Sequence, residues 1–206
     1  MRTTIFACLA AMVLSSPAAA ADLAVSIRDA AGRPVRDAVV TIKASGAVAP
    51  IRFTWPYSVS QRSIQFDPFV LIVPVGSDVT FPNKDTVRHH VYSFSPVKKF
   101  ELKLYGKEEA RSVRFDKVGV VPLGCNIHDQ MIAYVYVVDT PHAAKTGADG
   151  VAVLRGLPAA AHQMTVWHPL MKTTRNQVVK PVTVAAAGAK TTLSVDLRPT
   201  PANHPH

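Results

Sequence analysis

Between residues 24 and 197 the apolar residues fall in short runs rich in Val, Ile and Thr, and no stretch keeps a helical period for a useful length. This points to a chain of strands and turns. Candidate strands cover residues 24–27 and 38–42 on either side of the turn 29–34, then 69–75, 78–81, 89–94, 118–123, 131–138, 150–154, 163–168 and 190–197. With turn signals between them, this spacing predicts an all-β chain built as an antiparallel sandwich or barrel. Sixteen prolines against ten glycines agree with that, and 206 residues suffice for one large domain or two small ones. No internal repeat is present.

The N-terminus follows a different rule. Arg2, an apolar run over residues 5–14, Ser15-Ser16-Pro17 and the alanines Ala18 to Ala21 form the pattern of a secretory signal peptide over residues 1–21. The run is too short for a membrane span, and no other stretch reaches ~18 continuous apolar residues. The expected location is the periplasm, with no membrane span. Cys8 lies too early for a lipidation box and leaves with the leader. The formal charge of +9 loses Arg2, which leaves 22 Lys and Arg against 14 acids, or +8. No Lys/Arg cluster is dense enough for a dedicated nucleic-acid binder. Apolar residues at 48% and charged residues at 18% exclude a disordered chain.

One cysteine, Cys125, remains after the leader, too few for a disulfide framework. A lone thiol in an exported chain can be buried and inert, paired with another chain, or held by a metal. Its neighbours read Cys125-Asn126-Ile127-His128-Asp129-Gln130-Met131, a C-x2-H-x2-M loop between two candidate strands. A thiolate, two imidazoles and a distant thioether form the copper electron-transfer set, so a second His must come from elsewhere. His89-His90 stands upstream on a strand able to run beside the loop. Zinc would accept Cys and two His but seldom recruits a thioether. Haem attachment needs C-x-x-C-H, and a binuclear copper centre needs a second Cys; the loop has neither. A Cys125–His128 nucleophilic pair leaves Met131 without a role.

Residues 62–140 resemble a cupredoxin, a blue copper domain of the plastocyanin and amicyanin type. The phrase Val75-Gly76-Ser77-Asp78-Val79-Thr80-Phe81-Pro82-Asn83 carries the likeness together with the short copper loop. The resemblance implies a Greek-key β-sandwich, one type 1 copper ion and the ligands His89, Cys125, His128 and Met131. It also selects His89 over His90: the family's Asn stands six residues ahead of the first ligand, as Asn83 does ahead of His89. Strand alternation then puts His89 and Val91 on one face and His90 and Tyr92 on the other. His90 takes the place of the small polar residue usual in the family and is expected to hydrogen-bond toward Asn126. Asn126-Ile127 replaces the frequent Thr-Pro. These departures leave the redox potential open.

A second likeness frames the first. Residues 26–42 resemble the opening of a carboxypeptidase regulatory-like β-sandwich, and residues 145–168, with a TGADG turn and a GLP turn, resemble its continuation. It implies a small second β-sandwich split into residues 22–50 and 141–199, with the copper domain inserted and residues 200–206 as a tail. Two sequential small domains are the alternative. The chain as a whole is similar to proteins labelled methylamine utilization protein. His142, His162, His168, His204 and His206 are poor ligand candidates. The seven cations against four acids over residues 98–117 read as a solvated face. The expected activity is one-electron transfer, not enzymatic catalysis, toward a redox protein partner with an acidic surface. The alternative is a periplasmic copper carrier or storage protein that uses the same ligands.

Overall fold

A computed structural model describes residues 20–43 and 50–199. Among them the protein is all-β, with sixteen strands and one short 3-10 turn, Thr174–Asn176. The chain opens with β1 (Ala20–Asp29) and β2 (Val39–Ile42). It continues with β3 (Ser60–Arg62), β4 (Gln65–Asp67), β5 (Val70–Pro74), β6 (Ser77–Pro82), β7 (His89–Phe94), β8 (Lys99–Tyr105), β9 (Ala110–Phe115), β10 (Gly119–Gly124) and β11 (Ile132–Val138). It closes with β12 (Ala143–Lys145), β13 (Val151–Pro158), β14 (Ala161–Trp167), β15 (Gln177–Thr183) and β16 (Ala189–Val195).

Strand pairing follows position in the chain. β1 lies between β13 and β16, and β2 lies in a sheet of order β12-β2-β14-β15. The first two strands therefore share sheets with the last five. The middle strands form a sheet of order β5-β11-β10-β7-β8 and the pairs β6-β9 and β3-β4. Most neighbours are antiparallel, as expected. β1 with β16 and β5 with β11 are parallel, which the expectation missed. Each of these two pairs joins strands far apart in the chain, where no hairpin imposes an antiparallel return.

Alternation along the strands builds the cores. Leu23, Val25 and Ile27 of β1 turn inward onto Val40, Ile42, Leu154, Met164, Val166 and Met171. In the middle strands Val79, Phe81, Val91, Phe115, Val121, Leu123, Val135 and Val137 form a second core, which also takes in Cys125 and Met131. A third cluster joins Val39 and Trp167 to Val70, Ile72 and Val138. There the Trp167 ring meets Tyr134 and Tyr136 edge-on at 5.5 and 5.3 Å between ring centres.

β1 begins at Ala20, inside the expected leader, with Ala20 and Ala21 opposite Pro158 and Leu157. Residues 1–19 and the expected tail lie outside the described residues. Among the described residues no helix is long and apolar enough to cross a membrane. The charged segment 98–117 holds two strands, β8 and β9, whose side chains are mostly exposed.

Candidate metal centre

The antiparallel register of β10 and β11 ends at Gly124 opposite Ile132. Cys125 through Met131 is the loop across that end. It is closed by the Met131 N–H, which donates to the His128 carbonyl at 2.9 Å. Both sulfur side chains point inward, with Cys125 at 3% and Met131 at 1% exposure, while Asn126 and Ile127 face solvent. His128 is half-buried between them.

β7 lies on the other side of β10 and pairs with it at Tyr92 opposite Gly124, which sets the residues before Tyr92 beside the loop. Gly124 has no room for a side chain: a Cβ there would lie 2.8 Å from Tyr92 Cζ. His90, Tyr92 and Phe94 follow one another along one face of β7, with ring centres 5.6 and 4.9 Å apart. Alternation turns His89 the opposite way, and it is fully buried.

Cys125 Sγ lies 3.9 Å from His89 Nδ1 and 3.7 Å from His128 Nδ1. The three donor atoms lie within 4.8 Å of one another, and among the described residues no other group of three His, Cys, Asp or Glu converges in this way. Metal–sulfur and metal–nitrogen bonds of about 2.3 and 2.0 Å, opened at about 120°, set sulfur and nitrogen about 3.7 Å apart. The side chains present therefore fit one metal ion. Met131 adds a soft thioether in the same core, and with Cys125 it lines a groove of about 440 Å³ beside Tyr92, Phe94 and Tyr134. Thiolate, imidazole and thioether together suit copper better than zinc.

A hydrogen-bonded shell surrounds this set. His89 Nε2 meets Asp85 Oδ2 at 2.7 Å. Burial pushes the Asp85 carboxyl up, but hydrogen bonds from Ile64, His89 and Ser63 outweigh it and hold the group below the usual carboxylate range. Asn83, also fully buried, donates from Nδ2 to the carbonyls of Val87 and Tyr105, and its Oδ1 accepts the Asp85 N–H. This ties down the loop that leads into β7.

His90 departs from expectation. Its Nε2 meets Glu101 Oε1 on β8 at 2.9 Å, so the ring turns to β8 rather than toward Asn126, and its Nδ1 is buried without a hydrogen-bond partner. His162 Nε2 meets the Pro158 carbonyl, and His168 Nδ1 accepts the Leu170 N–H. Neither these nor His142 joins the cluster; His204 and His206 lie outside the described residues. Sequence reasoning missed Asp85. An acid four residues before a histidine in a polar loop is no distinctive signal.

No family model and no curated protein matches the chain. Among solved structures it is similar to a purple cupredoxin from Nitrosopumilus maritimus at 22% identity, over 39% of this chain and 98% of that one, with a TM-score of 0.37. It is also similar to a variant of amicyanin in its reduced Cu(I) form, at 25% identity over 48% and 98% of the two chains, TM-score 0.38. A Cu-containing nitrite reductase from Thermus scotoductus SA-01 matches at 27% identity over 48% of this chain and 25% of its own, TM-score 0.39.

Proposed function

We propose that this chain is an exported type 1 (blue) copper protein that passes single electrons between periplasmic redox partners, with His89, Cys125, His128 and Met131 holding one ion. The observation that carries this reading is the convergence of Cys125 Sγ with two imidazole Nδ1 atoms at 3.7 and 3.9 Å inside an apolar core. Bound copper supplies a one-electron Cu(II)/Cu(I) couple. Cys125 contributes the soft thiolate, the two histidines contribute neutral nitrogen donors, and Met131 contributes a weak thioether that tunes the potential. The loop is anchored at both ends in paired strands, so its side chains move little between oxidation states. The half-buried edge of His128 is the natural exit for an electron, because it alone of the three clustered donors reaches toward solvent.

In this reading residues 62–140 form the copper domain and residues 22–50 and 141–199 form the sandwich around it. The pairing of β1 and β2 with the last five strands supports that division. The charge of the exported chain favours an acidic redox partner.

The test is a visible spectrum of the purified protein with Cu(II), followed by voltammetry. An intense thiolate-to-copper band and a reversible couple are expected. A colourless Cu(II) complex sinks the reading. A coloured complex that surrenders copper rapidly to a chelator favours the carrier.

A further inference from the structure

Behind His89 stands Asp85, and its carboxylate gathers three donors. Oδ1 accepts the Ser63 N–H at 2.6 Å, and Oδ2 accepts the Ile64 N–H at 2.9 Å and meets His89 Nε2 at 2.7 Å. A carboxylate that is ionised can only accept, so the Nε2 atom facing it must carry the imidazole proton. Neutral imidazole holds one proton, so the other nitrogen, Nδ1, is bare. That bare nitrogen faces Cys125 Sγ.

The orientation of the carboxylate has its own cause. Ser63 and Ile64 form the two-residue turn between β3 and β4, closed by the pair Arg62 and Gln65. Both have left-handed backbone, with φ of 53° and 57°. That turn type matches the twist of a hairpin, but it normally calls for Asn or Gly. A β-branched residue such as Ile64 takes it at a cost. In this conformation successive N–H groups converge on one side and form a small anion cradle, which the Asp85 carboxylate occupies. The Asp85 backbone is held in turn by Asn83.

We infer that Asp85 is a positioning residue for the metal centre: the Ser63-Ile64 turn aims its carboxylate, and the carboxylate locks His89 in the Nε2–H tautomer with Nδ1 turned to Cys125. This rests on His89 being a ligand. It makes the β3–β4 hairpin, which contributes no metal ligand, part of the site.

The experiment uses the metal-free full chain labelled with nitrogen-15, above the usual histidine titration range. Long-range proton–nitrogen spectra should find His89 as a single Nε2–H tautomer, with its proton far downfield because the acceptor is charged. In Asp85→Ala the share of the Nδ1–H form should rise about tenfold or more. In both Asp85→Ala and Asp85→Asn the Nε2–H proton should move upfield. If Asp85→Ala does not fold, Asp85→Asn decides on that proton alone. After loading, Cu(II) affinity should drop about 10–100-fold in Asp85→Ala. A wild-type Nδ1–H tautomer, or an Nε2–H proton unmoved in the variants, overturns the inference whatever copper does. Shifted tautomers in a protein that shows no thiolate-to-copper band leave Asp85 in its place and remove the copper reading instead.

Discussion

Two aspartates in this molecule do the same hydrogen-bonding work to different ends. Asp29, at the end of β1, accepts the backbone N–H groups of Ala31 and Arg33 and pairs with the Arg33 guanidinium at 2.7 Å. Asp85 accepts the N–H groups of Ser63 and Ile64 and meets His89. Each carboxylate caps a turn and holds one side chain. For Asp29 that side chain is Arg33, 79% exposed and four residues away, so the motif pins its own turn and nothing else. For Asp85 it is a fully buried imidazole, and the turn belongs to a separate hairpin. The same chemistry stays within one turn or reaches a buried imidazole according to where its third donor leads.

The same contrast runs through the two larger cores. Around the core of β1, buried polar groups stitch backbone. Thr146 Oγ1 donates to the Val35 carbonyl and accepts the Ala38 N–H, and Asp37 pairs with Lys145. In the core of the middle strands, the buried Asn83 and His89 lead to Cys125. Stitched polar groups have their hydrogen-bonding capacity used up within the fold. A thiol and two imidazole nitrogens facing one another leave lone pairs to spare, which is what a metal requires.

The largest effect expected on this division is at Cys125. Cys125→Ala should abolish the thiolate-to-copper band completely while the metal-free protein melts nearly as wild type, since the side chain is small and its thiol makes only long contacts, at 3.7 and 3.9 Å, to the two imidazoles. A variant that unfolds would make Cys125 a core residue first. Next comes the pair of histidines. His89→Ala should lose the band, and His90→Ala should keep it, because His90 turns to Glu101. The opposite outcome would place the first ligand one residue later and reverse the facing of β7.

The core of β1 should respond in the converse way. Leu154, 2% exposed, fills that core from β13, and Leu154→Ala should cost about 2–5 kcal/mol in a urea melt. The copper band should stay at its wild-type position. A displaced band would mean that the third cluster, with Trp167 against Tyr134 and Tyr136, transmits strain from one core to the other. Met131→Leu should retain copper and raise the potential, because a weak donor that helps stabilise Cu(II) is gone. Met131→Gln should lower it. A voltammogram unmoved by both changes would take the thioether out of the coordination set.

How much of this was legible in the sequence depends on the element. The strands that carry an apolar face, β1, β7, β10 and β11 among them, stand out as runs or alternations. His89, Cys125 and His128, which the C-x2-H-x2-M loop and the family resemblance singled out together, come together in space. β8 and β9 hid behind their charge: Phe100 and Leu102 do alternate with Lys99, Glu101 and Lys103, but so many cations read as a solvated face. The β3–β4 hairpin left no mark, because its turn uses Ser63 and Ile64 where Asn and Gly are the usual sign. Asp85 was invisible for that reason: two of its three partners are backbone groups of a turn with no signature. The parallel pairs were also beyond reach, since they join segments that no local pattern connects.

The smallest effect, and the sharpest check on the first comparison, lies at Asp29. The Arg33 N–H does most to lower its carboxyl; burial, next in size, opposes it, but the Arg33 guanidinium and Ala31 N–H add to the lowering and the group stays below its usual value. A group whose folded value is depressed adds stability above its unfolded value of about 3.9 and loses it as pH falls toward the folded one. Asp29→Asn keeps an oxygen for the two backbone donors but gives up the charge that faces Arg33. The variant should therefore be slightly less stable than wild type at neutral pH, and the gap should close on acidification through the carboxylate range. Denaturant midpoints of the two proteins at a series of pH values measure it. Since Arg33 is solvent-exposed, the gap should also shrink in high salt. The copper band should be indifferent to Asp29→Asn at every pH. A gap that persists in acid would show that the carboxylate charge is not what Asp29 contributes, and a moving band would mean that this turn, as inferred for the one at Ser63 and Ile64, reaches the metal site.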